Sequence, residues 1–169
     1  QARRTTIEYL VTRPVTESLT AGRLPFERHI YRVTAAVTLV RPEDDGDLHV
    51  VLQDGAGRTM IAESPDGSCD IAATPHRRRQ MAAARSRVRI CARASVTGVA
   101  FFDFYHGQTG VAPNAIELHP ILSFRCLSRA VVDASAPSTR PAVSSGTARR
   151  KVNLVSLTSP VSAGADATL

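Results

Sequence analysis

His49 and Glu63 are the first residues of this chain whose types and spacing could support chemistry. Each lies in a short β-like segment, and the stretch 54–57 between the two segments is typical of a hairpin turn. A turn centred near Gly55 places His49 opposite Ala62 or Glu63, because facing residues of a hairpin are equally far from the turn. The sequence therefore predicts an imidazole and a carboxylate on one sheet face.

Glu117 and His119 add a second pair of the same chemistry. They lie two residues apart on a later predicted strand, so their side chains share one face. If this strand lies beside the one that carries Glu63, all four side chains converge outside the hydrophobic interior. They could then bind a divalent metal ion or serve in general acid–base catalysis. A salt-bridged sheet face with Arg89 and Arg93 nearby is the alternative. The candidate cluster, which is also the predicted metal-ligand set, consists of His49, Glu63, Glu117 and His119.

The elements that position these residues follow the order of an OB-fold barrel. The β-like segments are 31–40, 47–52, 59–64, 88–98 and 115–124, and a helix-like segment at 75–85 separates the third from the fourth. Three meandering strands, a helix and two closing strands form an OB fold. Thr74 is the predicted N-cap of the helix, with Pro75 in its first turn. The sequence therefore predicts an all-β protein with one short helix: an OB-fold-like five-stranded β-barrel with extended N- and C-terminal tails.

The connection between the last two strands is the second candidate site. It has the sequence FFDFYHGQTGVAPN at 101–114, and OB folds commonly bind ligands with this loop. Its aromatic rings could stack on bases or sugars. The alternative is that Phe101, Phe102 and Phe104 close the end of the barrel. The candidate ligand-binding residues are Asp103, Tyr105, His106 and Gln108.

The acid-rich stretch 43–47 precedes the strand that carries His49. Clustered carboxylates can bind calcium, but the 12-residue calcium-loop pattern is not present. The stretch is therefore predicted to be a solvated turn.

Composition divides the chain into four segments. They are an extended N-terminal segment at 1–30, the barrel at 31–127, a Ser/Ala/Pro-rich linker at 128–150 and a strand-like tail at 151–169. Alternating stretches at 5–11 and 152–157 have no core of their own, so their backbone groups need the edge of a sheet. Residues 1–20 and 150–160 are therefore predicted to be extended and to pair with an edge strand, most of all on a neighbouring copy.

The chain has 169 residues and a formal net charge of +6, and every basic residue except Lys151 is arginine. Arginine suits phosphate contact, although genome composition alone can produce the same bias. No run approaches the ~20 apolar residues of a membrane helix. Neither a nucleotide-binding glycine loop nor a Gly-x-Ser-x-Gly motif is present. The start at Gln1 rather than Met predicts a processed or trimmed chain, and export is left open.

The cysteines Cys69, Cys91 and Cys126 fit no Cys-x-x-Cys zinc pattern. A secreted protein would have one disulfide and one free thiol, whereas a cytosolic protein would keep three thiols. Cys69 lies in a predicted loop where a cross-link is useful. The predicted disulfide therefore joins Cys69 to Cys91 or Cys126.

Several strings resemble a family of small bacterial proteins that are often exported. They are DGDLHVVL, TMIAESP with Cys69 after it, and VTGVAFFDFYHGQTGVAPNAIELHPIL, in which the HGQTG and IELHP segments are the most specific. The resemblance covers roughly 31–124 and leaves out both tails. It implies no activity, but it implies that five residues lie in the family's most recognisable motifs: His49, Glu63, His106, Glu117 and His119.

Three functions fit these observations. The first is a non-catalytic binding or structural module, a self-assembling subunit of an extracellular assembly held together by strand-exchanging tails. The second is a metal-dependent, nuclease-like hydrolase that uses the His/Glu cluster. The third is a nucleic-acid-binding OB domain. Whether the chain is an enzyme stays open at this stage. The predicted partners are copies of itself and nucleic acid, the candidate cofactor is a divalent metal, and the predicted location is extracellular or at the cell surface, with the cytoplasm left open.

Overall fold

Five strands close into a barrel in the computed structural model, which describes residues 1–14, 23–69, 72–105 and 107–130. The sheet order is β1-β2-β3-β4-β6-β5, and pairing of β2 with β5 closes the barrel. This arrangement confirms the predicted OB-like fold. The elements are β1 (Arg3–Arg4), α1 (Ile7–Val11), β2 (Ile30–Pro42), β3 (Leu48–Gln53), β4 (Thr59–Ser64), α2 (Pro75–Arg85), β5 (Cys91–Phe102) and β6 (Ile116–Ser128).

Alternation along the strands decides which side chains fill the barrel. On β2, Val33, Ala35 and Val37 point inward and are buried, because successive strand residues face opposite sides of the sheet. On β3, Val50 and Leu52 belong to the same core. The intervening residues of β3 and β4 therefore face the outside of the barrel, which leaves that face available for polar chemistry.

Helix α2 follows β4 and packs against β6 and β4. Thr74 caps it, since the hydroxyl of Thr74 accepts a hydrogen bond from the backbone N–H of Arg77 at 3.3 Å. Met81 and Ala84 form its buried face. The bounds predicted for this helix are confirmed.

The N-terminal segment differs from its prediction. Residues 5–11 are predicted as a strand, but Ile7–Val11 form the helix α1, capped by the Thr6 hydroxyl. The spacing of Ile7, Leu10 and Val11 explains this: residues three and four apart share a helix face, and here that face is buried in the core of the barrel. Strand β1 pairs in parallel with β2 of the same chain. The prediction of an extended, paired segment is therefore confirmed for residues 3–4, although their partner strand belongs to the same chain, and it is wrong for 7–11, which are helical.

The predicted C-terminal strand at 152–157, and nearly all of the linker at 128–150, lie outside the described residues. Self-association through that tail stays a prediction. Within the part of the chain that the structure describes, no helix has the length and apolar character needed to cross a membrane.

Cys91 and Cys126 form a disulfide, with their Cα atoms 5.9 Å apart, and Cys69 is an exposed free thiol. The predicted pairing of Cys69 is therefore wrong. The physical reason is distance along β6. Cys69 shares a surface cavity with His119, and Cys126 follows His119 by seven residues, about 23 Å along an extended strand.

Candidate functional site

The structure brings the four cluster residues together on the outer face of the barrel. His49 lies directly opposite Glu63 in the ladder between β3 and β4, one of the two registers that the hairpin predicts. Strand β6 runs parallel beside β4, so Glu117 and His119 face the same side as Glu63. The predicted convergence is therefore present, whereas the chemical role of these residues stays a prediction.

The cluster lies at the end of the barrel where the turn 43–47 meets the loop 103–115. In OB folds these two connections commonly hold ligands. The loop lies directly on β3 because of Gly110, whose φ is +82°. A Cβ at Gly110 would lie 2.5 Å from a methyl carbon of Val51, so only glycine fits at this contact. The loop consequently covers outward-facing side chains of β3.

His49 is fully buried beneath this loop. Its Nε2–H donates a hydrogen bond to the backbone carbonyl oxygen of Thr109 at 2.8 Å. This bond fixes the ring and, in the neutral tautomer, leaves a lone pair on Nδ1. A histidine that binds a metal is usually held in the same way, by a backbone carbonyl on its other nitrogen.

The Nδ1 atom of His49 points between two carboxylates. It lies 3.5 Å from Glu43 Oε1 and 3.7 Å from Glu63 Oε1, and it has no hydrogen-bond partner among the described residues. Hydrogen bonds between nitrogen and oxygen are shorter, about 2.7–3.2 Å. Two ligands of a tetrahedral metal ion, each about 2.1 Å from it, lie about 3.4 Å apart. The observed spacing therefore suits a shared cation better than a direct hydrogen bond.

His119 has a different environment. Its Nδ1 lies 3.0 Å from Glu63 Oε2 and 3.3 Å from Glu117 Oε1, so it is already paired. The edge of the Phe101 ring system packs against it, with ring centroids 5.9 Å apart. The side chain is 31% exposed, whereas that of His49 is 0% exposed. His119 is therefore the imidazole of the cluster that solvent or a ligand can reach.

The pKa values of the cluster follow from burial and from these pairings. Burial opposes the charge on Glu63, but the His119 and His49 imidazoles outweigh it and lower the pKa of Glu63 to about 2. Burial likewise opposes the charge on His119, but Glu117 and Glu63 raise its pKa to about 10. Burial raises the pKa of Glu117, and His119 only partly offsets this. The Glu63 carboxylate raises the pKa of His49 against the effect of burial. At neutral pH, His119 and Glu63 form an ion pair.

Sequence reasoning missed Glu43 and Asp47. Two sets of ligand atoms lie within 4.8 Å of one another, one from Glu43, His49 and Glu63 and the other from Asp47, Glu63 and His119. Neither set includes Glu117, and metal binding by His49, Glu63, Glu117 and His119 stays a prediction. Asp47 is buried and Glu43 is partly buried, so the prediction that 43–47 is a solvated turn is wrong for these two residues. The position of these residues in the sequence was the available signal, because the acid-rich turn directly precedes the strand that carries His49.

Arg85 of α2 holds this turn against the barrel. Its guanidinium donates to the carbonyl oxygen of Gly46 at 2.7 Å and to that of Pro65 at 3.3 Å, as well as to the carbonyl of Ser64. One arginine therefore ties the β2–β3 turn to the end of β4, next to Glu63. We assign Arg85 a positioning role, since it contacts only backbone oxygens here.

The candidate ligand loop is only partly assembled around the cluster. Phe102 is buried in the core, whereas Phe104 and Tyr105 are 67% and 69% exposed, so the three phenylalanines do not all close the barrel. The charge of Asp103 helps to raise the pKa of Glu117, which places this carboxylate near the cluster. Gln108 is partly buried and its carbonyl oxygen accepts from Val111 at 3.4 Å. His106 lies outside the described residues.

A surface cavity of about 370 Å³ opens beside the cluster. His119 and Asp47 line it from one side and Arg23 from another. The guanidinium of Arg23 lies over the Phe101 ring, 5.0 Å from its centroid. A small anionic group in this cavity would therefore meet one arginine and one protonated imidazole, together with the carboxylate of Asp47.

No protein-family model and no curated protein sequence matches the chain. In structure, the chain is similar to a Leishmania major Friedlin protein assigned as an aspartyl-tRNA synthetase, with a TM-score of 0.51 and 11% identity over 77% of this chain and 21% of that one. It also matches Entamoeba histolytica asparaginyl-tRNA synthetase (TM-score 0.43, 13% identity, 79% of this chain and 25% of that one). A third match is the OBody AM2EP06 bound to hen egg-white lysozyme (TM-score 0.40, 14% identity, 60% of this chain and 82% of that one).

The chain thus spans 21% and 25% of the length of the two synthetases. At identities this low, the likeness shows the fold alone. Together with the closed strand order it shows that the chain has the OB fold. The resemblance to the family of small bacterial proteins stays a prediction.

Proposed function

We propose that the chain is a divalent-cation-dependent hydrolase of phosphodiesters whose cation is held by Glu43, His49 and Glu63. One observation carries the proposal. The buried Nδ1 of His49 has no hydrogen-bond partner among the described residues, and it lies 3.5 Å and 3.7 Å from two carboxylates. One nitrogen and two oxygen ligands suit Zn²⁺ or Mn²⁺.

A proton competes with the cation for this place. The Glu63 carboxylate raises the pKa of His49, so a second proton on this ring is held more tightly than on a free imidazole. Arg41 also competes, because its guanidinium lies 3.3 Å from Glu43 Oε1. Both competitors carry positive charge, which indicates that the two carboxylates favour a cation beside them. A single divalent ion would balance the negative charge of both carboxylates.

The other half of the cluster would supply proton transfer. A bound cation would act as a Lewis acid on a phosphate oxygen. Water would attack phosphorus and the bond between phosphorus and the leaving oxygen would break. His119, held protonated by Glu63 and Glu117, would give its proton to that oxygen. Asp47, which lines the same cavity, would accept the proton that the water releases. The positive net charge and Arg23 in the cavity favour a phosphate-containing substrate.

Hydrolysis of bis(p-nitrophenyl) phosphate and of a labelled single-stranded oligonucleotide tests the proposal. The chelated protein is assayed alone and then with Zn²⁺, Mn²⁺ or Mg²⁺. We expect hydrolysis with at least one cation and none in EDTA, and a loss of roughly 100-fold in His49→Gln, since a ligand is removed. Arg79→Gln, on the exposed side of α2, is the control. No hydrolysis with any cation, or equal rates in the parent and His49→Gln, would overturn the proposal.

The non-catalytic, self-assembling module is the competing function. Nothing in the described residues favours it, since the N-terminal segment packs on its own barrel. Light scattering of the full chain, compared with a chain that ends at residue 130, tests whether the C-terminal tail mediates assembly. The extracellular location has one supporting observation, the disulfide between Cys91 and Cys126, because disulfides persist mainly in oxidising compartments.

A further inference from the structure

We infer that single-stranded nucleic acid binds across β1. Its phosphates would lie in an arginine groove on one side of β1, and a base would enter an aromatic cavity on the other side. This surface is distinct from the cluster of His49 and Glu63. The inference does not depend on the cation site, because none of its residues belongs to that site.

The arginine groove lies on the outer face of the sheet and has a volume of about 540 Å³. Arg4 of β1, Arg32 of β2 and Arg125 of β6 line it, and all three are exposed. Arg4 is the direct neighbour of Arg32 in the ladder, and the Nε–H of Arg32 donates to the Thr97 hydroxyl at 3.1 Å. The three arginines therefore form a positive strip that is interrupted at β5 by the uncharged Ser95.

The charge of this strip is not neutralised within the part of the chain that the structure describes. Two carboxylates reach the groove, Glu8 and Asp54, and both pair with a fourth arginine, Arg58, at 3.3 Å and 2.8 Å. No ion pair in the described residues involves Arg4, Arg32 or Arg125. These three guanidinium groups can consequently bind an external anion.

The length of the strip indicates the shape of that anion. Strands β1, β2, β5 and β6 lie side by side, so the strip crosses three strand spacings, about 14 Å in all. One phosphate group cannot contact both ends of such a strip. A linear chain of phosphates can, and planar guanidinium groups match phosphate oxygens.

The aromatic cavity lies on the other side of β1, since Arg3 lines it and successive strand residues point to opposite sides. It has a volume of about 410 Å³ and is lined by Tyr9, Phe26 and Tyr31 among others. The guanidinium of Arg13 lies 4.9 Å from the centre of the Tyr9 ring and 5.1 Å from that of Phe26. Tyr9 is 45% exposed, so this stacked pair offers a preformed platform for a base.

A basic strip next to an aromatic platform is the combination that binds single-stranded nucleic acid. A duplex keeps its bases stacked on one another and cannot place one in the cavity. A lipid surface would require several large exposed apolar side chains along the strip, where the structure has one, Leu127, among arginine and threonine. Single-stranded nucleic acid is therefore the occupant that both halves of the surface favour.

Fluorescence anisotropy with a labelled single-stranded 12-mer, recorded in EDTA over a series of salt concentrations, tests the inference. Arg4→Gln/Arg32→Gln/Arg125→Gln should bind at least about tenfold more weakly. The slope of log affinity against log salt should fall by about 2, since each phosphate contact on a single strand contributes about 0.7. Tyr9→Leu should weaken binding roughly tenfold with an unchanged slope, because a stacked base carries no counterion.

The matched control is Arg79→Gln/Arg87→Gln/Arg89→Gln, which removes the same charge from exposed positions on and after α2. This control should keep the slope of the parent. Equal weakening in the two triple variants would overturn the inference, as would equal affinity of the parent for heparin, for duplex DNA or for anionic vesicles. Arg4→Gln/Arg125→Gln leaves the hydrogen bond of Arg32 intact and serves if the triple variant unfolds. Because every measurement is made in EDTA, failure of the hydrolase proposal would not affect these results.

Discussion

His49 and His119 share one carboxylate, Glu63, and yet the two histidines have opposite environments. His49 is fully buried, is held by a backbone carbonyl, and keeps its second nitrogen 3.5 Å or more from any carboxylate oxygen. His119 is partly exposed and lies 3.0 Å from Glu63 and 3.3 Å from Glu117. The first geometry leaves room for a cation, and the second is already satisfied by a proton. The cation proposed above is therefore placed beside His49 and not beside His119.

Glu63→Gln should have the largest effect on stability, because Glu63 lies beside both His49 and His119. The neutral amide cannot balance protonated His119, whose pKa of about 10 depends in part on Glu63. Removal of one partner from a buried ion pair typically costs about 3 kcal/mol of unfolding free energy. Urea denaturation at pH 7 measures the loss. A change below about 0.5 kcal/mol would show that Glu63 and His119 do not form the pair described.

Gly110→Ala should disturb the loop that covers His49 and leave the pairing of His119 with Glu63 intact. The added Cβ would lie 2.5 Å from Val51, and the positive φ adds its own cost, so we expect a loss of about 2–3 kcal/mol. Gly107 is the matched control, because it also has a positive φ of +80° but nothing within 4 Å of an added Cβ. Gly107→Ala should lose only about 1 kcal/mol in the same denaturation experiment. Equal losses would mean that the contact between the loop and β3 contributes nothing.

The pH dependence of stability reports on His119 and its pairing with Glu63. In EDTA, the raised pKa of His119 stabilises the fold below about pH 6.5, and this contribution is lost as pH rises from 6.5 towards 10. The lowered pKa of Glu63 stabilises the fold above about pH 4.5, and that contribution is lost as pH falls from 4.5 towards 2. Both contributions are complete between about pH 4.5 and 6.5. Thermal melts should show that the melting temperature of His119→Gln depends less on pH above 6.5 than that of the parent. An identical pH dependence above 6.5 in the two proteins would show that His119 does not have the raised pKa.

Arg41→Gln should have the smallest effect. The ion pair of Arg41 with Glu43 is exposed, and such pairs contribute less than about 1 kcal/mol. Its removal frees an oxygen of Glu43, so the affinity for a divalent cation should rise about two- to threefold with little change in melting temperature. A weaker affinity, measured by calorimetry, would show that Glu43 is not a ligand.

The pairing of His49 could be narrowed to two registers, opposite Ala62 or Glu63, because a hairpin is local and its turn limits which residues face each other. Helix α2 was predictable for the same reason, since Thr74 and Pro75 mark its start. The roles of Glu43 and Asp47 could not be predicted in this way. The turn that carries them is held by Arg85 from a distant helix, and no local pattern encodes that contact.

Long-range packing also explains the two corrections outside the site. A five-residue helix such as α1 is marginal by itself and forms because Ile7 and Leu10 are buried in the barrel. The disulfide between Cys91 and Cys126 depends on β5 lying beside β6, which cysteine spacing cannot show. The convergence of Glu117 and His119 on Glu63 is tertiary as well, and it was predictable because the strand order of an OB fold places β6 beside β4.

Isothermal titration of Zn²⁺ and Mn²⁺ into the chelated chain, its His49→Gln variant and its His119→Gln variant tests the central claim most directly. The two variants make the same substitution on either side of one carboxylate. We expect one cation per chain in the parent, no measurable binding in His49→Gln, and an affinity within about fivefold of the parent in His119→Gln, because His119 pairs with its carboxylates through its own proton. No binding in the parent, or equal loss in the two variants, would contradict it.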